Sequence, residues 1–259
     1  MTTTKPRRIL ALESATDSLS VALLDGEQIV AIREHESIRQ HAAVLLSVVD
    51  ETLRQAGTAL GELDAMAISA GPGSFTSLRI GLATLKGLAF GRDLPVVGVS
   101  TLEVMALGAL EGGTDLGADA EVLTLLDARR GEWYAGGWRR ASAAGGVPTL
   151  SLVGGLYSPS QLAKDLPRAV VAVSPEAAGW RDIFERAGLR FTACVTGREA
   201  RPRADWVGRL AVRRLARGEG QSASSLSPRY LRRAEAEARR TGLAVEEGET
   251  ERTEPSECG

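Results

Sequence analysis

The chain reads as an α/β protein made of two repeated lobes, each β-β-β-α-β-α in order. Three observations predict this. Short β-rich runs come in threes, at 8–13, 19–25 and 27–34, and again at 121–127, 132–139 and 148–156. Each triplet is followed by helical periods alternating with short apolar runs that read as buried strands. The first strand of each triplet ends on an acid, Glu13 in one case and Asp127 in the other.

Asp17 and the pair Asp25-Gly26 supply the first two turns. A helical period then runs over 40–56 and Gly57 stops it. A strand at 65–70, a glycine-rich loop and its helix, a strand at 95–99 and a helix begun by Ser100 or Thr101 complete the first unit. In the second, Ser158-Pro159-Ser160 opens a short helix. A strand at 168–173, a helix at 176–187, a strand at 191–195 and a helix at 205–217 follow. Two such lobes facing each other describe the actin-like ATPase architecture, built from ribonuclease-H-like halves, whose strand-end acids flank a phosphate cleft. The expected division is an N-terminal lobe at 1–105 with partner-binding helices, a C-terminal lobe at 106–203, and a helix with an anchoring segment at 204–233. An acidic tail follows at 234–259, with helix at 234–240 at most and disorder beyond. Fold alone does not fix function.

Composition narrows the function classes. The 259 residues carry a formal net charge of −2, no footprint for autonomous nucleic-acid binding. The figure hides an asymmetry: residues 234–259 hold eight Glu against three Arg, whereas residues 1–233 hold 28 basic against 25 acidic. Contact with RNA would need a partner that adds positive charge. Cys194 and Cys258 are the only cysteines, too few for a disulfide framework or a cysteine-ligated zinc site. The N-terminus lacks the apolar run of a signal peptide and no stretch approaches a membrane span, so a cytoplasmic protein is expected.

Residues 70–91, AGPGSFTSLRIGLATLKGLAFG, pose the sharpest question. Glycines before a helix often cradle phosphate, yet Gly71 is followed five residues later by Thr76, with no Lys after it. Gly71 and Gly73 begin a dinucleotide fingerprint whose third glycine is missing. The bland reading is a tight strand-to-helix turn capped by Ser74 or Thr76, with Gly71 and Gly73 allowing positive φ. Glu13, Gly71, Gly73 and Asp127 remain the candidate cofactor-binding positions.

The helix after the loop is more informative. Phe75, Leu78, Leu82, Leu85, Leu88 and Ala89 make one apolar stripe, but Ile80, Ala83 and Phe90 lie off it. Ser77, Gly81, Thr84 and Gly91 form a small-residue strip where another backbone can come close. In the preceding helix Ala42, Leu45, Leu46, Val49, Leu53 and Ala56 make the core stripe, leaving Val44 and Val48 outside it. Helices with surplus apolar surface are covered on two sides, either inside a layered fold or by a partner. The candidate interface set is His41, Val44, Val48, Ser77, Ile80, Gly81, Thr84 and Leu88.

The string GPGSFTSLRIGLATLKGLA resembles the signature of the bacterial TsaB (YeaZ) family, usually G-P-G-S-F-T-G-L-R-I-G. ILALESATDSLSVALL, HAAVLLSVVDETLRQAG, PVVGVSTLEVMA, LLDARRGEWYAG and SPRYLRR match as well, in family order from about Arg8 to Arg233. Ser77 stands where glycine is usual, and Glu13 where Asp is commoner. The resemblance implies a non-catalytic partner of the related TsaD, which carries the metal site and makes threonylcarbamoyladenosine beside the tRNA anticodon. It implies association through N-terminal-lobe helices, homodimers through the same kind of surface, and TsaE, an ATPase, in the assembly. ATP and metal then belong to partner subunits, and tRNA is met through the complex. Tyr230 and Leu231 of the SPRYLRR motif are expected to anchor that segment on the fold.

The residues agree with this. Catalytic relatives place two histidines four apart on the first long helix; here His41 is followed at that spacing by Leu45, and His35, the other histidine, lies six residues upstream. No histidine supports Ser74 or Thr76 as a nucleophile. Asp127-Ala128-Arg129-Arg130 would hold Mg²⁺ or phosphate only by analogy, with a strand-end salt bridge as the simpler reading. The competing functions are a stand-alone actin-like ATPase or phosphotransferase, and a peptidase of the kind named by an old glycoprotease label on relatives.

Overall fold

The computed structural model describes residues 8–36, 41–143, 145–166, 168–176 and 179–232. Its strands are β1 (Arg8–Glu13), β2 (Ser18–Asp25), β3 (Gln28–Glu36), β4 (Ala65–Gly71), β5 (Val96–Ser100), β6 (Glu121–Asp127), β7 (Trp133–Arg139), β8 (Thr149–Tyr157), β9 (Val170–Ser174) and β10 (Phe191–Thr196). Its α-helices are α1 (His41–Gln55), α2 (Phe75–Ala89), α3 (Thr101–Glu111), α4 (Pro159–Asp165), α5 (Trp180–Arg186) and α6 (Ala204–Leu215). The expected strands and helices are present with ends shifted by a few residues, and a 3₁₀ turn at Leu60–Glu62 is an addition.

The sheets repeat one topology. The first runs β3-β2-β1-β4-β5 and the second β10-β9-β6-β7-β8, the same order read from the other edge. In each, the first strand is central, antiparallel to the second and parallel to the fourth. This is the doubled ribonuclease-H-like arrangement of the actin-like fold.

Side-chain alternation sorts the central strands between two cores. Leu10, Leu12, Leu19, Val21, Leu23, Met66 and Ile68 face α1 and α2. Ile9, Ala11, Ala22, Leu24, Ala65 and Ala67 face α6. The alanines on that second face let α6 approach closely, and a Cβ on Gly208 would overlap the Leu24 side chain. The second sheet divides likewise: Val122 and Leu126 meet α3, whereas Leu123 and Leu125 meet Trp180 and Phe184 of α5 and Leu162 of α4. The layers therefore run α1/α2, first sheet, α6/α3, second sheet, α4/α5.

α3 sits in the middle and is buried over its whole length from Thr101 to Leu110. Leu102, Met105, Ala106 and Ala109 face the second sheet while Val104 and Leu107 join the α6 core, so no polar face is needed. A lobe division drawn between residues 105 and 106 crosses this unbroken helix. The helix expected at the start of the 204–233 segment is α6, which covers the first sheet.

Ion pairs fasten the same junction. Arg213, 5% exposed, donates to Glu27 in the β2–β3 turn at 3.0 Å, to Glu111 at the end of α3 at 2.7 Å and to the Gly146 carbonyl at 2.9 Å. These bonds raise its pKa further above the usual arginine range, the Glu111 hydrogen bond being the largest cause. Arg198 pairs with Glu34 of β3 at 2.6 Å, and Arg201 pairs with Glu36. No helix among the described residues is long and apolar enough to cross a membrane.

Candidate protein interface and glycine loop

The glycine loop is filled by the chain itself. Gly71 has φ +119°, and a Cβ there would stand 2.5 Å from the Arg229 carbonyl oxygen. Gly73 does not use positive φ, contrary to expectation; its missing Cβ is needed because the Ala15 carbonyl lies against it. Ser74 caps α2, its Oγ accepting from the Ser77 N–H at 3.4 Å, while its own N–H donates to the Ala15 carbonyl at 2.8 Å. Pro72 has no N–H. Two N–H donors at this helix start, those of Ser74 and Ser77, are thus engaged within the chain.

Glu13 lies beneath this loop, fully buried. Its carboxylate accepts the Ala15 N–H at 2.7 Å and the Ser69 hydroxyl. Burial pushes its pKa up to about 7, against the lowering effect of those two bonds. It is a loop-positioning group. Asp127, the other acid, is partly exposed and accepts the Arg129 N–H at 2.7 Å and its guanidinium at 3.4 Å. The structure thus places the four candidate cofactor positions in turns held by the chain's own groups.

The inter-lobe cleft is a cavity of about 380 Å³ lined by Thr16, Asp17, Ser18, Glu36, Leu126, Pro175, Glu176 and Arg201. Three of these are acids, and the one guanidinium is paired with Glu36. Among these lining residues the cleft offers a phosphate no unpaired guanidinium.

Ser77 and Gly81 of the small-residue strip of α2 meet their own chain, while Gly91 is exposed with nothing within 4 Å of where its Cβ would be. A Cβ on Gly81 would overlap Ser14 Oγ and sit 3.0 Å from Ile68 Cδ1, and Ser14 Oγ donates to the Ser77 carbonyl at 3.3 Å. His41, Val48, Ser77 and Gly81 of the candidate interface set are accordingly buried within the fold. Val44, Ile80, Thr84 and Leu88 are partly buried, with Val44, Ile80 and Leu88 packed on the first core. The phase of α1 also differs from expectation: Val48 faces the sheet at 7% exposure, and Leu46 points outward at 58%.

Of the expected set only Leu88 lines the apolar groove on this face, and the rest of its apolar lining comes from residues that set omitted. Leu46 joins Val49, Leu53, Leu60 and Leu88 around a groove of roughly 600 Å³ between α1, α2 and the 3₁₀ turn. Two residues beyond Leu88, Phe90 is 87% exposed at the end of α2. The signal was present in Phe90, which lies off the apolar stripe and next to Gly91.

The two charges of α2 point elsewhere. Lys86 Nζ donates to the Ser224 carbonyl at 3.3 Å, and Arg79 Nε to the Tyr230 hydroxyl at 3.0 Å. Arg79 lies 3.8 Å above the Phe75 ring, which stacks on Tyr230 at 4.9 Å. Together with buried Leu226 and the Arg229 N–H bond to the Ala70 carbonyl at 2.7 Å, this fixes the C-terminal segment to the first lobe. Arg232 carries it to the second, bonding the Ala128 carbonyl and Glu132. The residues expected in an acidic tail at 234–259 lie outside the described residues.

Comparison with known proteins follows the same chain length. The TsaB tRNA threonylcarbamoyladenosine biosynthesis protein of Escherichia coli is 33% identical over 233 residues, covering 87% of this chain and 94% of that one. The chain belongs to the TsaB (YeaZ) family. Its Bacillus subtilis TsaB relative is 26% identical over 89% of this chain and 96% of its own. The solved structure of YeaZ from Pseudomonas aeruginosa shares 32% identity at a TM-score of 0.74, covering 87% of this chain and all of that one. The family model for TsaD, tRNA N6-adenosine threonylcarbamoyltransferase, matches residues 28–174. A transferase of that name from Geobacter is 36% identical over 37% of this chain and 32% of its own.

His35 lies on β3, while His41 opens α1 with Leu45 one turn later. Neither buried Nε2 has a hydrogen-bond partner among the described residues. Among the described residues, no three His, Cys, Asp or Glu side chains gather as a metal-ligand set.

Proposed function

We propose that this chain is the non-catalytic subunit that binds and activates a TsaD-type transferase in forming threonylcarbamoyladenosine next to the tRNA anticodon. The observation that carries the reading is the outward apolar face of α1 and α2, in a chain whose full-length relatives are TsaB proteins. Exposed Leu46 and Phe90 flank a groove with apolar walls, the kind of surface a partner helix fills. ATP and metal reside on the partner subunits, including a TsaE-type ATPase, and the same face serves a homodimer when the transferase is absent. A cytoplasmic setting, where tRNA is modified, goes with that role.

Co-purification of the full chain with its cognate transferase tests this. Leu46→Asp with Phe90→Asp leaves the fold unchanged, since both side chains are exposed, and weakens association at least about 30-fold, the cost of losing one interface hot spot. Unchanged association of the double variant would reject the face. Full tRNA modification by the transferase without this chain would reject the role.

A further inference from the structure

Residues 221–232 form a strap without helix or strand, yet they are tied to the first lobe along their length. Gln221 exchanges two backbone bonds with Val96 of β5, at 2.8 and 3.0 Å. Leu226 is buried in the first core, in the space that a Cβ on Gly98 would need. α2 supplies three more holds from positions four and seven apart, which share one face of the helix. Lys86 bonds the Ser224 carbonyl, Arg79 bonds the Tyr230 hydroxyl, and Phe75 stacks on the Tyr230 ring.

The strap ends in the second lobe, where Arg232 donates to the Ala128 carbonyl and the Glu132 carboxylate of the β6–β7 hairpin. The hairpin is shaped to offer both acceptors to one guanidinium. The Ala128 N–H bonds the Glu132 carbonyl at 3.0 Å, which closes the loop and brings these two residues together. Arg129, Arg130 and Gly131, with φ of +68°, +59° and +79°, make the turn between them. Two successive arginines in the left-handed region are a costly way to turn, and such strain persists where the resulting shape is used. Arg232 is 12% exposed in this socket, and a cavity of about 170 Å³ lies among the strap's end, Phe75 and Tyr134. The grip is polar and stands beside open space.

We infer that the strap is a releasable latch: Arg232 in its socket holds the lobes closed, and its release lets them swing apart and widens the inter-lobe cleft. On one side the socket begins just past Leu126, which lines the cleft. On the other, the Arg229 carbonyl lies against Gly71 of the glycine loop, and that loop rests on Ala15, next to the cleft residue Thr16. The strap therefore bridges the two walls. The pivot is the middle layer, where α3 is buried from Thr101 to Leu110 and Arg213 is held by three acceptors. Separating that layer would break a packed core, whereas releasing Arg232 gives up two charge-assisted bonds. Arg198–Glu34 and Arg201–Glu36 also cross between the lobes, but Arg198 and Glu36 are mostly exposed, and exposed pairs hold weakly. The latch needs no partner chain, so it stands or falls apart from the function proposed above.

Spin labels at Asp17→Cys and Glu176→Cys, on the two walls of the cleft, report its width in the full chain carrying Cys194→Ser and Cys258→Ser. Pulsed dipolar spectroscopy gives one narrow distance while Arg232 is in place. Arg232→Ala raises the ratio of open to closed molecules at least about 10-fold, the effect of losing a charge-assisted hydrogen bond. Arg79→Ala with Tyr230→Leu frees the strap's hold on α2 and widens the cleft in the same sense. Added to Arg232→Ala it changes nothing further, because the two holds act in series. A cleft distance unchanged in folded Arg232→Ala overturns the inference, as do additive effects of the two changes. If Arg232→Ala does not fold, Glu132→Ala decides from the socket side: a longer distance sustains the latch, and the wild-type distance ends it.

Discussion

Glu13 and Asp127 occupy equivalent ends of the two central strands, and each accepts the backbone N–H two residues further on at 2.7 Å. There the likeness stops. Glu13 is sealed under the glycine loop and the Ser69 hydroxyl, whereas Asp127 stays partly exposed beside Arg129. Duplication of the lobe preserved the turn, and what folded over the turn decided the chemistry. In the first lobe the β4–α2 loop packs Gly73 against Ala15 and closes over Glu13. In the second the corresponding end opens onto a cleft lined by acids.

The difference can be broken from either side. Gly73→Ala forces a methyl into the Ala15 backbone and costs roughly 3 kcal/mol or more, as overpacking against an immobile group does. A thermal melt should move down by roughly 6–12 °C. A melt unchanged within a degree means that the loop does not rest on Ala15.

The next effect concerns pH. The folded pKa of Glu13, about 7, lies above its unfolded value near 4.5, so the folded state retains the proton longer. Between those limits the unfolded state has released it. Stability is therefore greatest below pH 4.5 as far as this group is concerned, and declines by about 3 kcal/mol as pH rises through 7. Glu13→Gln removes that slope. Chemical denaturation at pH 5 and pH 8 should show a markedly smaller loss for the variant than for the wild type, and parallel losses would place the proton elsewhere. The smallest effect belongs to the exposed twin: Asp127→Asn changes stability by no more than about 0.5–1 kcal/mol, read by the same denaturation, because its amide oxygen still accepts the Arg129 N–H.

The order of elements was legible because period and punctuation are local properties: Asp25-Gly26, Gly57 and Ser158-Pro159 mark turns whatever lies around them. The phase of a helix against its sheet is not local. Leu46 and Val48 are both apolar and two positions apart, and only the direction from which β2 and β3 approach α1 decides which is core. Ser77 and Gly81 of the α2 strip are a related case. Both do mark a close approach, but composition does not say by what, and here it is the Ser14 side chain. Exposed Phe90 and the pairing of Arg79 with Tyr230 likewise depend on where the chain returns after more than a hundred residues.

The covering of the first sheet by α6 has a consequence for how the chain is made. The sheet is complete at Ser100, yet the helix that shields its alanine-lined face begins at Ala204. At a synthesis rate of about 5–20 residues per second, roughly 5–20 seconds separate the two events. During that interval a nascent chain carries a finished sheet with one naked side, and α3, the first helix able to shelter it, must still wait for its own second sheet.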